Sequence, residues 1–298
     1  MIDKPTVGGL KNKVGASVPT LFFLLCMVST TFGQTLSESL TAFYQQLPQN
    51  ARISIATQSL LDSSQSFYYR ADERVPSASV IKLPIMLEAM ERVKAGMLDL
   101  DEIHILTNSE KTGGSGVLKT YSHRSRVSYR DLLRLMLIYS DNTATNIFIN
   151  ELGRDAINQR IRSIGLTKTQ LNRVMMDTLA ARQGRENYVT TREMNELLEK
   201  IYRKQVATPE LCDQMITILE QVEDTKSIPS LLPKGTVVAH KTGTLSYVRG
   251  DAGIVYARSG NQLRPFLLSV FVEGVPTAEA ERIIGEVALR CYTYFAQP

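Results

Sequence analysis

The sequence predicts an α+β chain. It has a five-stranded antiparallel sheet flanked by helices, built from both ends of the chain, and an all-helical lobe inserted between the two parts. Three observations carry this. Strand-like runs occur only near the beginning and near the end. Helical periodicity with cap residues fills the middle. Short polar turns, Asp62-Ser63-Ser64-Gln65 and Arg258-Ser259-Gly260-Asn261, join neighbouring strand runs as hairpins do. The sheet lobe is expected over about 34–70 and 223–298, and the helical lobe over about 71–222.

Taken in order, Ser37 to Gln46 reads as an amphipathic helix with Leu36, Leu40, Phe43 and Leu47 along one side. Arg52 to Ala56 alternates as a strand, and Ser66 to Arg70 is the second. A helix follows from about Ser77 to Lys94 and ends at Gly96. Pro84 inside it removes a backbone donor and predicts a kink. Lys111-Thr112-Gly113-Gly114-Ser115-Gly116 reads as a plain turn. Ser128, with Asp131 three later, starts a helix that is apolar on nearly all sides and therefore buried. That helix ends in Ser140-Asp141-Asn142, and two more run from Thr143 to Leu152 and from Asp155 to Ser163. Leu166 to Val189 has no clear period and reads as a long loop, a length usually tied to function. Thr190 caps a helix to Lys204, and another runs from Pro209 to about Val222. Three strands close the sheet: Val237–Thr244, Ala252–Ala257 and Phe266–Val272. A final helix spans Thr277 to about Phe295.

Composition limits the partners. The 298 residues are 43% apolar and carry a net charge of +4. Lys4, Lys11 and Lys13 against Asp3 place +2 of it in residues 1–33, leaving +2 and no basic stripe, so nucleic acid is not an expected partner. Residues 1–33 read as a signal peptide. Lysines precede an apolar run from Val18 to Phe32, and small residues stand before a cut after Gly33. The alternative for this segment is an uncleaved anchor. A secreted or periplasmic location is the expectation. Cys212 and Cys291 remain in the mature chain, either as buried free thiols or as one disulfide. His104, His123 and His240 have no metal-ligand spacing, so no metal and no cofactor are expected. Nothing points to an obligate oligomer, and a monomer is expected.

The chemistry begins at Ser79-Val80-Ile81-Lys82. Residues three apart share a helix face, so Lys82 stands beside Ser79. A serine hydroxyl needs a nearby base, and a lysine becomes one when burial or a neighbouring cation lowers its pKa. Two further motifs follow in order, Ser140-Asp141-Asn142 and Lys241-Thr242-Gly243. Each alone is common; the ordered set, each on its expected element, is not.

With these three motifs, the chain from about Leu36 onward resembles the class A β-lactamases, within the wider penicillin-recognising serine hydrolases. The resemblance implies that Ser79 is acylated, that Lys82 is its proton partner, and that Ser140 hands a proton to the leaving nitrogen. It implies that Asn142 holds Lys82 and the substrate's amide, and that Lys241 and Thr242 meet the substrate carboxylate. The backbone N–H groups of Ser79 and Thr244 would form the oxyanion hole. Two departures stand out. The loop glutamate that activates water in class A enzymes is missing: Val174-Met175-Met176-Asp177 occupies its place. Asp177 is the nearest carboxylate and reads equally as a catalytic substitute or as a loop cap; Glu186 reads as solvated. The arginine that assists with the carboxylate has no match on the next strand, where Ala252 stands. Arg249 is the candidate, placed by the sequence in an exposed turn. Three functions follow from the resemblance: a β-lactamase acting through an acyl-enzyme, a D,D-peptidase acting on peptidoglycan-like peptides, and a β-lactam-binding sensor domain.

Overall fold

A computed structural model describes residues 35–297. The proposed signal peptide, residues 1–33, lies outside the described residues.

Thr35 opens the first helix, α1 (Leu36–Tyr44), with a reciprocal capping box to Glu38. Strands β1 (Arg52–Ser59) and β2 (Ser66–Tyr69) follow as the expected hairpin. A short strand β3 (Val75–Pro76) leads into a 3₁₀ turn, Ala78–Ile81, and directly into α2 (Lys82–Lys94). Pro84 therefore stands in the first turn of α2 and not in a helix interior. Backbone donors there have no α-helical partner to lose, and the expected interior kink is replaced by a junction from 3₁₀ to α.

Strands β4 (Ile103–Ile105) and β5 (Arg126–Ser128) pair with each other. The helical lobe continues through α3 (Tyr129–Ile138), α4 (Asn142–Leu152) and α5 (Arg154–Ser163). The loop expected from Leu166 to Val189 contains a short helix α6 (Thr178–Arg182) and a strand β6 (Tyr188–Val189) that pairs with β3. Next come α7 (Thr191–Tyr202), capped by Thr190 as expected, and α8 (Pro209–Leu219). The closing strands are β7 (Val238–Leu245), β8 (Val248–Ser259) and β9 (Gln262–Glu273), followed by α9 (Thr277–Phe295).

The five long strands form one antiparallel sheet in the order β2-β1-β9-β8-β7. The ends of the chain thus meet at its centre, where β1 pairs with β9. Strand β9 is apolar without alternation because both its faces are covered. Leu268, Val270 and Val272 pack toward α1 and α9, whereas Leu267 and Phe271 join the core of the helical lobe. Strand β8 begins four residues earlier than expected, so Arg249 lies within it. Cys212 and Cys291 are buried free thiols.

Candidate active site

The turn that carries the candidate nucleophile Ser79 is built by its neighbours. Ser77 donates its N–H to the Asn187 carbonyl at 2.8 Å, and Ala78 takes a left-handed φ of 45°. A non-glycine residue in that region is uncommon and signals local strain. Ser79 follows, half-buried and open to solvent, in the turn that feeds α2. Gly243 of β7 lies against it. A Cβ at Gly243 would sit 2.9 Å from both Ser79 N and Ser77 O, so only glycine lets β7 approach this closely. The Thr244 backbone follows at the same edge.

Lys82 is 0% exposed. Its Nζ donates to the Ser140 carbonyl at 2.7 Å, to Ser140 Oγ at 3.0 Å and to Asn142 Oδ1 at 3.1 Å. Burial first, and the positive charge of Lys241 second, hold the Lys82 amine well below the usual lysine range; Asp141 opposes them. This is the environment a lysine base requires.

Ser140 is presented by a left-handed backbone, φ 54°. Asp141 anchors the turn. Its Oδ1 accepts from Ala144 N at 3.0 Å, capping α4, and its Oδ2 accepts from Val117 N and Leu118 N at 2.6 and 2.8 Å. The glycine-rich 111–116 segment is thus more than a plain turn. A Cβ on Gly116 would overlap the Asp141 side chain, and the Gly113 carbonyl accepts from Asn142 Nδ2 at 3.0 Å. Those glycines let the loop seat the Ser140-Asp141-Asn142 turn.

Lys241, on β7, is fully buried and donates to the Thr242 carbonyl at 2.9 Å. Burial pulls its ammonium down to about 8, with Asp251 and Asp224 opposing and Arg249 adding to the fall. Arg249 is not an exposed turn residue. It is 4% exposed in β8, because the strand starts earlier than its sequence suggests. Its guanidinium donates to Ser227 Oγ at 2.9 Å and to Thr244 Oγ1, and it pairs with Asp224 at 2.7 Å and Glu281 at 3.4 Å. Ser140, Lys241, Thr242, Thr244 and Arg249 line one cavity of about 530 Å³. Ser79 and Lys82 adjoin it through Gly243 and Ser140.

The long loop holds the main corrections. Glu186 is not solvated. It is 6% exposed and forms a two-pronged pair with Arg173, at 2.9 and 3.0 Å, that closes the loop on itself. Its negative charge was legible in the sequence, but its partner across the loop was not. Asp177 caps α6, its Oδ1 accepting from Ala180 N at 2.9 Å, which gives this carboxylate the capping role. Met175 is tied at both backbone groups to Asn146: its N–H donates to Oδ1 at 2.7 Å, and its carbonyl accepts from Nδ2 at 3.1 Å. Asn146 lies one helical turn beyond Asn142, so the main chain of Met175 is held beside the Lys82 end of the site. Replacing Glu186 by Ala strands the Arg173 charge. A buried pair broken on one side costs about 3–5 kcal/mol. The expected result is a lower urea midpoint, with protease cleavage confined at first to 174–185.

A further pair escaped the sequence reading. His240, beside Lys241, shares its Nδ1 with both carboxylate oxygens of Asp251, at 2.9 and 3.1 Å. The one signal was an aspartate inside a buried apolar strand, in Gly250-Asp251-Ala252-Gly253.

Comparison with known proteins agrees with this architecture. The curated relatives include the extended-spectrum β-lactamase PER-1 of Pseudomonas aeruginosa, 29% identical over 239 residues, covering 74% of this chain and 76% of that protein. Among solved structures, PBP-A superposes with a TM-score of 0.79 at 26% identity, over 88% of this chain and 97% of that one. A second structure, a mutant of PBP-A described as an acyl-enzyme complex with penicillin G, superposes at 0.77 and 27% identity, over 86% of this chain and 94% of that one. The sequence model of the Beta-lactamase enzyme family matches residues 35–295, nearly the whole described chain, and the protein belongs to that family.

Proposed function

We propose that the protein is a serine hydrolase that opens β-lactam rings through an acyl-enzyme on Ser79, acting as a secreted or periplasmic monomer without metal or cofactor. The observation that carries this is Lys82: an amine with no exposure, bonded to Ser140 and Asn142, one helical turn from a solvent-open serine. The neutral amine takes the Ser79 proton as Oγ attacks the ring carbonyl. The Ser79 and Thr244 N–H groups hold the oxyanion. Ser140, bonded to the same amine, relays the proton to the leaving nitrogen. Lys241 and Thr242, with Arg249 behind Thr244, meet the substrate carboxylate, and Asn142 meets its amide.

Release of the acyl group is the weaker half. Asp177 is engaged as a cap, Glu186 is ion-paired, and Met175 is fixed on Asn146. These observations favour a second reading, a D,D-peptidase-type enzyme with slow deacylation toward β-lactams.

Incubation with a chromogenic cephalosporin separates the two. Many turnovers support the lactamase, whereas one stoichiometric burst with a stable adduct supports the slow-release enzyme. In either case intact-mass analysis is expected to show one adduct on the wild type and none on Ser79→Gly. An adduct that persists in Ser79→Gly would refute the assignment of the nucleophile.

A further inference from the structure

Met176 takes a backbone conformation that suits glycine, with a φ of 64°. A β-carbon in that region is strained, and the strain persists only where the surroundings hold the residue in place. The main chain does so here. The Met175 N–H and carbonyl are bonded to Asn146 at 2.7 and 3.1 Å, and the Met176 carbonyl accepts from Thr178 N at 2.8 Å. None of these bonds uses the side chain at 176. A glycine would meet the same backbone requirement without the strain, so the reason for a methionine lies in what its thioether touches.

The thioether reaches the glycine-rich 111–116 segment. A Cβ on Gly114 would fall 3.0 Å from Met176 Sδ and 2.7 Å from Asn142 Nδ2. The sulfur and the Asn142 amide therefore flank one point, and a side chain at 114 would displace one of them. Asn142 is buried. Its Oδ1 accepts from Lys82 Nζ, and its Nδ2 donates one N–H to the Gly113 carbonyl at 3.0 Å. In the proposed function the same Nδ2 meets the amide of the substrate's acylamino side chain. The group attached to that amide then comes next to Met176, which is half-exposed and open to it. A thioether has no N–H or O–H to donate. It is polarisable, it is unbranched with three rotatable bonds, and it makes favourable contacts with aromatic rings.

We propose that Met176 is a specificity-determining residue: its thioether is the wall on which an aromatic ring in the acylamino side chain packs, so the site favours β-lactams that carry an arylacetyl group there. The inference rests on the proposed role of Asn142 in meeting the substrate's amide, and it goes further by naming the substrate class. It also accounts for the left-handed backbone at 176, which is held so that a side chain stands beside Asn142 and opposite Gly114.

The test uses two cephalosporins that differ only in the acylamino side chain, phenylacetyl against acetyl. The ratio of their second-order acylation rates is read by intact mass. The wild type is expected to favour the phenylacetyl probe. In Met176→Gly that preference is expected to fall by about 3- to 10-fold, with Met176→Leu, which keeps the bulk and loses the sulfur, between the two. The glycine variant is also expected to unfold at a higher urea concentration than the wild type, because it relieves the strained backbone. A side chain present only for packing would instead lower the midpoint and leave the ratio unchanged, which would overturn the proposal. Protein labelled with ¹³C at the methionine methyls gives a direct readout. The Met176 signal, identified by its loss in Met176→Leu, is expected to shift by ring current in the phenylacetyl adduct more than in the acetyl one. Adducts from both probes with one ratio in wild type and Met176→Gly would overturn this inference alone. A wild type that forms no adduct with either probe would sink the proposed function, and this inference with it.

Discussion

Replacing Met175 by glutamate is expected to shorten the life of the acyl adduct on Ser79 by about 100-fold or more, within the 10²–10⁴ range of a well-placed general base. Three facts fix the choice of position. The backbone of Met175 is clamped at both ends by Asn146, so the direction of its side chain is set by the fold. Asn146 stands one turn along α4 from Asn142, whose Oδ1 touches Lys82. The neighbouring Met176 is held less firmly. Met176 has a left-handed φ of 64° and is 49% exposed, and its sulfur lies over Gly114 near Asn142 Nδ2. A carboxylate at 175 would add to the site the base needed for water. The measurement is the decay of the adduct by intact mass after removal of free cephalosporin, with Met175→Gln as control. A glutamine reproduces shape and polarity without a base, so equal decay in both variants would refute the argument. Asp177→Asn is expected to leave decay unchanged, since Asp177 serves α6 through an oxygen that asparagine retains.

Met175 does not stand out in the sequence, for a physical reason. Val174 to Asp177 occupy the expected place, but a four-residue window in an irregular loop has no period to say which side chain faces inward. The answer depends on Asn146, 29 residues earlier, and on the left-handed turn at Met176. The same limit hid the Arg173–Glu186 closure. By contrast, Ser79 and Lys82 could be singled out together from the sequence because a helical turn brings residues three apart to one face. The sheet was legible because β1 and β9 alternate or run apolar according to which faces they bury. Arg249 was misjudged for a related reason. Gly250 and Asp251 look like turn residues, yet the strand runs through them because Gly250 faces the Phe271 ring and Asp251 finds His240 and Ile228. Tertiary partners outweighed the local preference there.

Lys82→Arg is expected to slow acylation by about 10²–10⁴-fold while leaving the protein folded. The change keeps a donor for the Ser140 carbonyl and for Asn142 Oδ1 but removes the base, because a guanidinium stays protonated in proteins. The wild-type pH profile carries the sign. In the proposed mechanism Lys82 works as the neutral amine, and burial together with the Lys241 charge holds its pKa well below the usual lysine value. Acylation therefore rises as pH climbs through that lowered pKa, at a pH where an exposed lysine would still be fully charged. In the same proposal Lys241 works as the ammonium, and burial pulls its pKa down to about 8. Acylation therefore falls as pH passes through that value, unless bound substrate raises it. The two lysines depend on each other. The charge on Lys241 that is proposed to meet the carboxylate is also, after burial, the second cause of the lowered Lys82 pKa, so loss of the Lys241 proton is expected to weaken binding and to remove part of that lowering. Stopped-flow acylation across pH should show a bell in the wild type and no rising limb in Lys82→Arg. A rising limb that survives in the variant would move the base to another residue.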